Sequence, residues 1–361
     1  NSFIKKIEVL IGGYIIDTQY SQWFQIFDEL TNTNNNSKYE TSSSSNGGKS
    51  TDLNFLNDIN HYNVNMNDRI NGNMPLVFGG NKNNISTNAG TYNKKIFIPL
   101  KFWFNKNPGM YLPLISLYNH EVELKIDFED KYKLIGNSTN ITSLSANIKA
   151  FGKFITLDGD EKKRFSQSNH EYIIEQTQLN NNSVSITTIE VDNSISTQLS
   201  EINYELNFSH PVKYMAFVIN NEGSASESLS NNSGMGPCYF VSLCSNSIYG
   251  NDGNDGTVKL SFDGEEREKT LPMTYYTRVF PKNFCKNISD LDRIGLYSFA
   301  LNPFDIEPSG TCNFSKILNK NLQIKFANNN INNISAKNLY IFAVNYNILV
   351  ITNGMAGLRY S

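Results

Sequence analysis

Strict alternation of apolar and polar residues recurs along this chain and limits it to a small set of folds. From Val122 to Phe128, apolar residues alternate with Glu123, Lys125 and Asp127. Because successive side chains of a β-strand point to opposite faces, this period of two predicts a half-buried strand. The same alternation occurs at 202–208, 258–262 and 322–326. Continuous apolar runs at 213–219 and 339–344 predict central strands that are covered on both faces.

Helix signals are rare by comparison. The one predicted helix is 21–30, whose apolar residues have the spacing i, i+3, i+4 and i+7: Trp23, Ile26, Phe27 and Leu30. Asp17 or Thr18 is available as its N-cap. Many strands with few helices predict an all-β protein of the sandwich or barrel class.

A chain of 361 residues is long enough for two cores. We predict a first domain at 1–164, a linker at 165–171 and a second domain at 172–361, because a charged stretch, 158–164, precedes a new apolar segment. The charged stretch itself is typical of a solvated turn. Segment 32–95 is rich in Asn, Ser and Gly and predicts a long exterior loop inside the first domain.

Several classes of function are disfavoured. No apolar run has the length of a membrane span, and a formal net charge of −3 provides no basic surface for nucleic acid. His120 and His170 are each followed by Glu, but neither has a second histidine at zincin spacing, so hydrogen-bonded structural histidines are predicted. The loop 250–256 lacks the glycine spacing and final Glu of a calcium loop. We therefore expect no catalytic residue, no metal site and no cofactor.

The cysteines and the asparagines add little. Cys238, Cys244, Cys285 and Cys312 show no CxxC spacing, which favours reduced thiols, although a Cys238–Cys244 bridge is sterically possible. Asn-x-Ser/Thr tripeptides are as frequent as chance predicts in a chain so rich in Asn. The possible glycosylation sites among them are Asn84, Asn137, Asn140, Asn181 and Asn231.

Several blocks of sequence resemble one protein family. The segment IPLKFWFNKNPGMYLPLISLYNHEVELKIDF (98–128) is similar to the major capsid proteins of the nucleocytoplasmic large DNA viruses. Further blocks of the same resemblance follow in family order: 7–24, 170–178, 208–217, 296–317 and 342–361.

The resemblance implies a double jelly roll, in which two eight-stranded sandwiches lie in tandem with few short helices and long Asn-rich loops. It also implies a homotrimer of pseudo-hexagonal outline, in contact with neighbouring capsomers and minor or cement proteins in the virion capsid. An internal membrane lies beneath such a shell, and no nucleic acid is bound. Members of the family normally carry a further segment ahead of the Ile7 block. Either this sequence is truncated or its first jelly roll is incomplete.

Two alternatives remain open beside a major capsid protein. One is a scaffold or minor capsid paralogue of the same fold. The other is a carbohydrate-binding jelly roll at the virion surface, for which Tyr275 and Tyr276 are candidate sugar-stacking residues. A pair at a strand edge is the competing interpretation of these two tyrosines. An enzyme is the least favoured class.

Overall fold

The structure, a computed structural model, describes residues 4–31, 98–129, 148–184, 201–220, 240–241, 243–244, 256–285, 288, 292–325 and 337–360. The predicted loop at 32–95 lies outside these residues. So do Cys238 and residues 250–255.

Strands predominate among the described elements. The helices are α1 (Ser21–Thr31), α2 (Trp103–Lys106), α3 (Gly159–Gln167) and α4 (Phe280–Phe284), with a π-helical turn at Tyr275–Val279. The strands of the N-terminal half are β1 (Ile4–Ile11), β2 (Tyr14–Tyr20), β3 (Val122–Phe128) and β4 (His170–Val184). Those that follow are β5 (Glu201–Glu205), β6 (Pro211–Asn220), β7 (Phe240–Val241), β8 (Thr257–Phe262), β9 (Glu265–Glu266), β10 (Leu271–Pro272), β11 (Gly295–Ser298), β12 (Cys312–Asn313), β13 (Lys320–Lys325), β14 (Lys337–Thr352) and β15 (Met355–Leu358).

The described strands form three sheets. The first has the order β2-β1-β3, and the second has the order β10-β8-β13-β5 with β9 beside β8. In the third, β14 lies between β6 and β4 and continues into a hairpin with β15, while β11, β12 and β7 pair with β6. The predicted strands at 122–128, 213–219, 258–262, 322–326 and 339–344 are confirmed as β3, β6, β8, β13 and β14, while β5 ends before the predicted Phe208.

Buried apolar side chains form two clusters. The larger, which we call the large core, fills the space between the second and third sheets. The smaller, the small core, contains Ile7, Val9 and Ile11 of β1 together with Phe102 and Trp103. The small core also includes Leu349 and Ile351 of β14, so both halves of the chain contribute to it.

Helix α1 agrees with the predicted helix to within one residue, but its predicted cap is wrong. Asp17 and Thr18 belong to β2, which continues without a break into α1 at Ser21. The Asp17 carboxylate instead accepts a hydrogen bond from the backbone N–H of Thr177, 2.9 Å away. The carboxylate is thus bound by β4, a strand 160 residues farther along the chain.

The prediction of a solvated turn at 158–164 is also wrong, because these residues form most of α3. No residue of α3 is buried, so it lacks the apolar stripe that identifies a helix from sequence. Its charges explain its stability instead. Asp160 and Glu161 lie in the first turn and Arg164 in the last, where each favours the helix dipole.

Candidate structural site at the junction of two cores

Helix α1 belongs to both cores. Phe24 is part of the small core, whereas Trp23, Ile26 and Leu30 are part of the large core. A helix of eleven residues with apolar side chains on two faces fixes the position of one cluster relative to the other. This second face also explains why so much of α1 is buried.

Strands β4 and β14 cross the same junction as an antiparallel pair. Near one end, Ile348 of β14 lies opposite Ile173, and its neighbour Leu349 belongs to the small core. Near the other end, Phe342 lies opposite Leu179 and belongs to the large core. The predicted domain boundary at 165–171 remains a prediction. The two hydrophobic clusters themselves meet farther along, around residues 175–178 and 345–347.

Between the two apolar ends, β14 carries two buried amides and β4 carries two half-buried ones. Gln178 Nε2 donates to Asn345 Oδ1 at 2.8 Å, and Asn347 Nδ2 donates to Gln176 Oε1 at 3.0 Å. Gln176 Nε2 in turn donates to the carbonyl of Ile16 in β2. Because a buried amide without partners costs about 1–3 kcal/mol, this network holds β4 in one register against β14 and β2.

An ion triad with one fully buried member, Lys213, lies beside the amides. Glu175 of β4 accepts from Lys213 Nζ through Oε1 at 2.6 Å and from Lys106 Nζ through Oε2 at 2.5 Å. Lys213 is 0% exposed, and its Nζ also donates to the Asp305 carbonyl at 2.6 Å and lies 5.2 Å from the ring centre of Tyr346. Burial acts to raise the pKa of Glu175, but the charges of Lys106 and Lys213 outweigh it and hold the pKa below its usual value.

Asp17 is the second carboxyl group of the junction. It is buried in β2, where Oδ2 accepts from Gln19 Nε2 at 3.2 Å. Loss of hydration raises the pKa of Asp17 to about 7. The hydrogen bond from Thr177 and the charge of Lys106 act to lower this pKa, but burial outweighs them. The Oε1 atom of Gln19 is buried and has no hydrogen-bond partner among the described residues. A protonated Asp17 therefore has a potential acceptor beside it.

Lys106, Lys213, Glu175 and Asp17 join four parts of the chain that are distant in sequence. Their ion pairs and hydrogen bonds are internal, and each belongs to α2, β6, β4 or β2. Such an arrangement fixes the geometry of the junction. The role of these residues at the junction was not predicted from the sequence. A signal did exist, since Lys213, Asn345 and Asn347 are the polar residues that interrupt otherwise apolar strands.

The histidine predictions are confirmed. Nδ1 of His120 accepts from the backbone N–H of Ala356 at 3.1 Å, and Nε2 of His170 lies 2.8 Å from the Phe165 carbonyl. The described part of the chain contains no group of His, Cys, Asp or Glu arranged to hold a metal ion. No described helix has both the length and the apolar character needed to cross a membrane.

The structure rejects the candidate sugar-binding pair. Tyr276 is 1% exposed and packs in the large core, so its ring cannot stack on a sugar. The alternative of a strand edge is wrong as well, because Tyr275 and Tyr276 begin the π-helical turn. Both rings contact Phe280 of α4 instead.

The remaining predictions concern glycosylation and the cysteines, and several of these residues lie outside the described part of the chain. Asn84, Asn137, Asn140 and Asn231 lie outside the described residues, and Asn181 lies in β4 opposite Tyr340. Glycosylation at these five positions stays a prediction. So does the Cys238–Cys244 bridge. Cys285 and Cys312 are free thiols, and burial raises the pKa of Cys285 to about 12.

Comparison with known proteins gives matches over the whole chain. Residues 161–357 match the family described as large eukaryotic DNA virus major capsid protein, and residues 1–158 match the major capsid protein N-terminus. The chain is 30% identical to the major capsid protein of Pyramimonas orientalis virus, with 100% of this chain and 77% of the relative covered.

Comparison with solved structures agrees with these sequence matches. The chain is similar to the protein of the PBCV-1 virus capsid, with a TM-score of 0.63, 25% identity, and coverage of 100% of this chain and 84% of that one. The chain is also similar to the Faustovirus major capsid protein, with a TM-score of 0.56 and coverage of 97% of this chain and 72% of that one. Because the identity is only 11%, this similarity supports the fold alone. The predicted all-β double jelly roll is confirmed.

Proposed function

The chain belongs to the large eukaryotic DNA virus major capsid protein family, whose members are structural proteins of the virion capsid, and we propose that three copies of it form one capsomer. Each copy contributes two jelly rolls, so a threefold object presents six similar units around its circumference. Identical capsomers of this outline pack as a nearly hexagonal sheet, which closes into an icosahedral shell.

The observation that carries this proposal is the continuity of the junction. A tile keeps its outline only if its two halves hold one relative orientation. Helix α1, the β4–β14 pair and the ion triad around Glu175 each connect the two cores directly. A flexible linker between independent domains would not provide that rigidity.

The proposed partners follow from this role. Each trimer contacts neighbouring capsomers through its lateral walls and meets minor or cement proteins, with an internal membrane indirectly beneath the shell. The proposal includes no contact with nucleic acid, in keeping with a net charge of −3. It includes no catalysis, because the buried ionisable groups of the junction are engaged with one another.

The first test is the native mass of the purified chain by light scattering. Three times 40.8 kDa, about 122 kDa, is expected, followed by hexagonal arrays in electron micrographs of concentrated protein. A stable monomer would contradict the proposal. A scaffold or minor capsid paralogue would also form trimers, so the abundance of the chain in purified virions decides between these two roles.

A further inference from the structure

The loop at 301–309, which we call the acidic loop, follows β11 and presents apolar side chains to solvent. Leu301 is 76% exposed and Ile306 is 51% exposed. Asp305 and Glu307, on either side of Ile306, are exposed as well. The chain is described without a break from 292 to 325, so the structure includes both flanks of this loop. Apolar side chains grouped on a surface with polar ones around them are typical of a protein–protein contact.

The acidic loop is held in one shape by contacts with the body of the protein. Its ends are joined by a hydrogen bond from the backbone N–H of Leu301 to the carbonyl of Ser309, at 3.3 Å. In its middle, the carbonyl of Asp305 accepts from Lys213 Nζ at 2.6 Å, and Phe304 packs against the large core. Because the loop is already ordered, little conformational entropy is lost when it forms a contact.

A second exposed surface, which we call the basic surface, lies on the N-terminal half of the chain. It combines two aliphatic side chains with two cationic ones, all exposed: Leu114, Ile115, Lys162 and Lys163. Helix α3, which carries the two lysines, packs against the turn at 114–116, where Ser116 Oγ donates to the carbonyl of Phe165 at 2.7 Å. Both parts of this surface lie inside stretches that are described without a break, 98–129 and 148–184.

The two surfaces are complementary in charge and alike in apolarity. Each presents aliphatic side chains, but the acidic loop carries carboxylates beside them and the basic surface carries ammonium groups. The acidic side chains of α3, Asp160 and Glu161, belong to its first turn, whereas its hydrogen bond with the turn at 114–116 is near its last. Complementary charges around an apolar contact favour one partner and one orientation over others.

We propose that the acidic loop of each copy packs on the basic surface of a neighbouring copy of the chain. This inference rests on the proposed trimer, which provides the neighbour. In one copy both surfaces are exposed, so neither covers the other. A contact between two different surfaces of identical chains is head-to-tail, and a ring of three occupies every acidic loop and every basic surface. The carboxylates of the loop then face the ammonium groups of α3, and the aliphatic side chains of the two surfaces pack together.

The proposed contact connects the edge of the tile to its junction. Lys213 Nζ binds the Glu175 carboxylate and the Asp305 carbonyl together, so the ammonium group of the ion triad also holds the acidic loop. The backbone carbonyl of Lys213 accepts from the N–H of Phe299, at 2.9 Å, just before the loop begins. The orientation in which the loop meets its neighbour is therefore set by the contacts that join the two cores.

Charge reversal tests the proposed contact. Lys162→Glu with Lys163→Glu places like charges opposite the carboxylates of the acidic loop, and we expect the dissociation constant of the trimer to rise by about tenfold or more. Light scattering over a dilution series measures this constant. Lys269→Glu with Lys282→Glu is the matched control, because both lysines are exposed, lie in the C-terminal half and belong to neither surface. An equal rise in the control would contradict the contact.

The opposite reversal provides a rescue. Asp305→Lys with Glu307→Lys should weaken the trimer by a similar factor, and it leaves in place the Asp305 carbonyl that Lys213 binds. Combining these two changes with Lys162→Glu and Lys163→Glu restores the attraction with its signs exchanged. Recovery of trimer affinity in the chain with all four changes supports the contact, and failure to recover overturns it.

Cysteine cross-linking between differently tagged chains gives an independent measurement. One chain carries Ile306→Cys, a second carries Ile115→Cys, and the two are co-expressed and mildly oxidised. We expect a linked pair bearing both tags, about tenfold more abundant than with either variant alone, which controls for the native cysteines. Ile306→Cys with Met355→Cys is the matched control, because Met355 is 48% exposed and belongs to neither surface. Similar yields from the two combinations overturn the contact.

Light scattering of the cross-linking samples separates the contact from the trimer itself. A trimer of about 122 kDa without the mixed cross-link overturns the contact alone, whereas a monomer overturns the trimer and the contact together. A trimer that contains the mixed cross-link supports both.

Discussion

The Nζ atom of Lys213 lies 2.6 Å from Oε1 of Glu175, and no part of the Lys213 side chain is exposed to solvent. The pair joins β6, a strand of the large core, to the stretch of β4 where the two cores meet. The Glu175 carboxylate thus compensates an ammonium group that is out of contact with water. Removing the carboxylate of Glu175 therefore leaves the buried ammonium of Lys213 without its counter-ion.

Replacing Glu175 by Gln keeps its shape and removes its charge. We expect Glu175→Gln to lower the free energy of unfolding by about 3–5 kcal/mol, because the ammonium of Lys213 remains buried without a counter-ion. Urea denaturation measures this loss. Glu171→Gln is the matched control on the same strand, since its pair with Arg359 is exposed and is expected to contribute less than about 1 kcal/mol. Equal losses in the two variants would contradict the role of the triad.

Asp17 predicts a dependence of stability on pH. Its pKa in the folded chain, about 7, is above the ordinary value of 3.8, so the folded state favours the protonated carboxyl group. Its contribution is fully present below pH 3.8 and is lost as the pH rises through 7, by about 4 kcal/mol in total. Asp17→Asn cannot ionise, and the Gln19 amide can rotate to accept its N–H. We expect this variant to be the more stable one at pH 8.

Unfolding curves for the wild type and Asp17→Asn at pH 5, 6, 7 and 8 give the measurement. The two free energies of unfolding should diverge as the pH rises, with the wild type falling. Asp127→Asn serves as a control for general charge effects, because Asp127 is a half-exposed carboxylate of β3. Parallel curves for the wild type and Asp17→Asn would show that Asp17 does not titrate in this range.

Gly295 of β11 lies directly beneath the ring of Phe217. A Cβ atom at this position would lie 2.2 Å from Cε2 and Cζ of Phe217, which is far inside contact distance. We expect Gly295→Ala to lower the thermal midpoint, with a cost of about 1–3 kcal/mol from the displaced ring. Gly357→Ala in β15 is its control, since a Cβ there meets nothing within 4 Å. A loss of stability in the control alone would refute this account.

The chain contains two tryptophans, and each reports on one core: Trp23 on the large core and Trp103 on the small core. Because α1, β4 and β14 pass through both, we expect the cores to unfold in one cooperative transition. The single-tryptophan variants Trp23→Phe and Trp103→Phe isolate the two signals. In each, the fluorescence midpoint in denaturant should equal the midpoint by far-ultraviolet circular dichroism. Separate midpoints within one variant would show that the cores unfold independently.

Local patterns in the sequence were sufficient for the helix and the strands with a clear apolar period. Helix α1 was predicted because its apolar spacing follows the helical period, and β3, β8 and β13 because their alternation follows the pleat. Helix α3 was not predicted because none of its residues is buried and its sequence has no apolar period. Its stability comes from charges at its ends and a contact through Phe165, neither of which produces a periodic apolar stripe.

The junction depends on contacts that are distant in sequence, so no local pattern could predict it. Lys106 and Lys213 meet at Glu175 only because α2, β6 and β4 come together in the folded chain. Tyr276 illustrates the same limit, since nothing in its neighbouring residues distinguishes a buried ring from an exposed one. A polar residue inside an apolar strand, such as Asn345, is the one trace of the junction that the sequence shows.

Strand β14 imposes an order on how the protein can be made. Its residues complete the small core as well as the large one, yet they are translated after nearly all of the residues they pack against. The N-terminal residues of β1 must therefore remain without their final neighbours during most of synthesis. A chain whose translation stops early lacks a finished core at either end and is left to the quality control of the cell. Only chains translated through β14 can complete both cores.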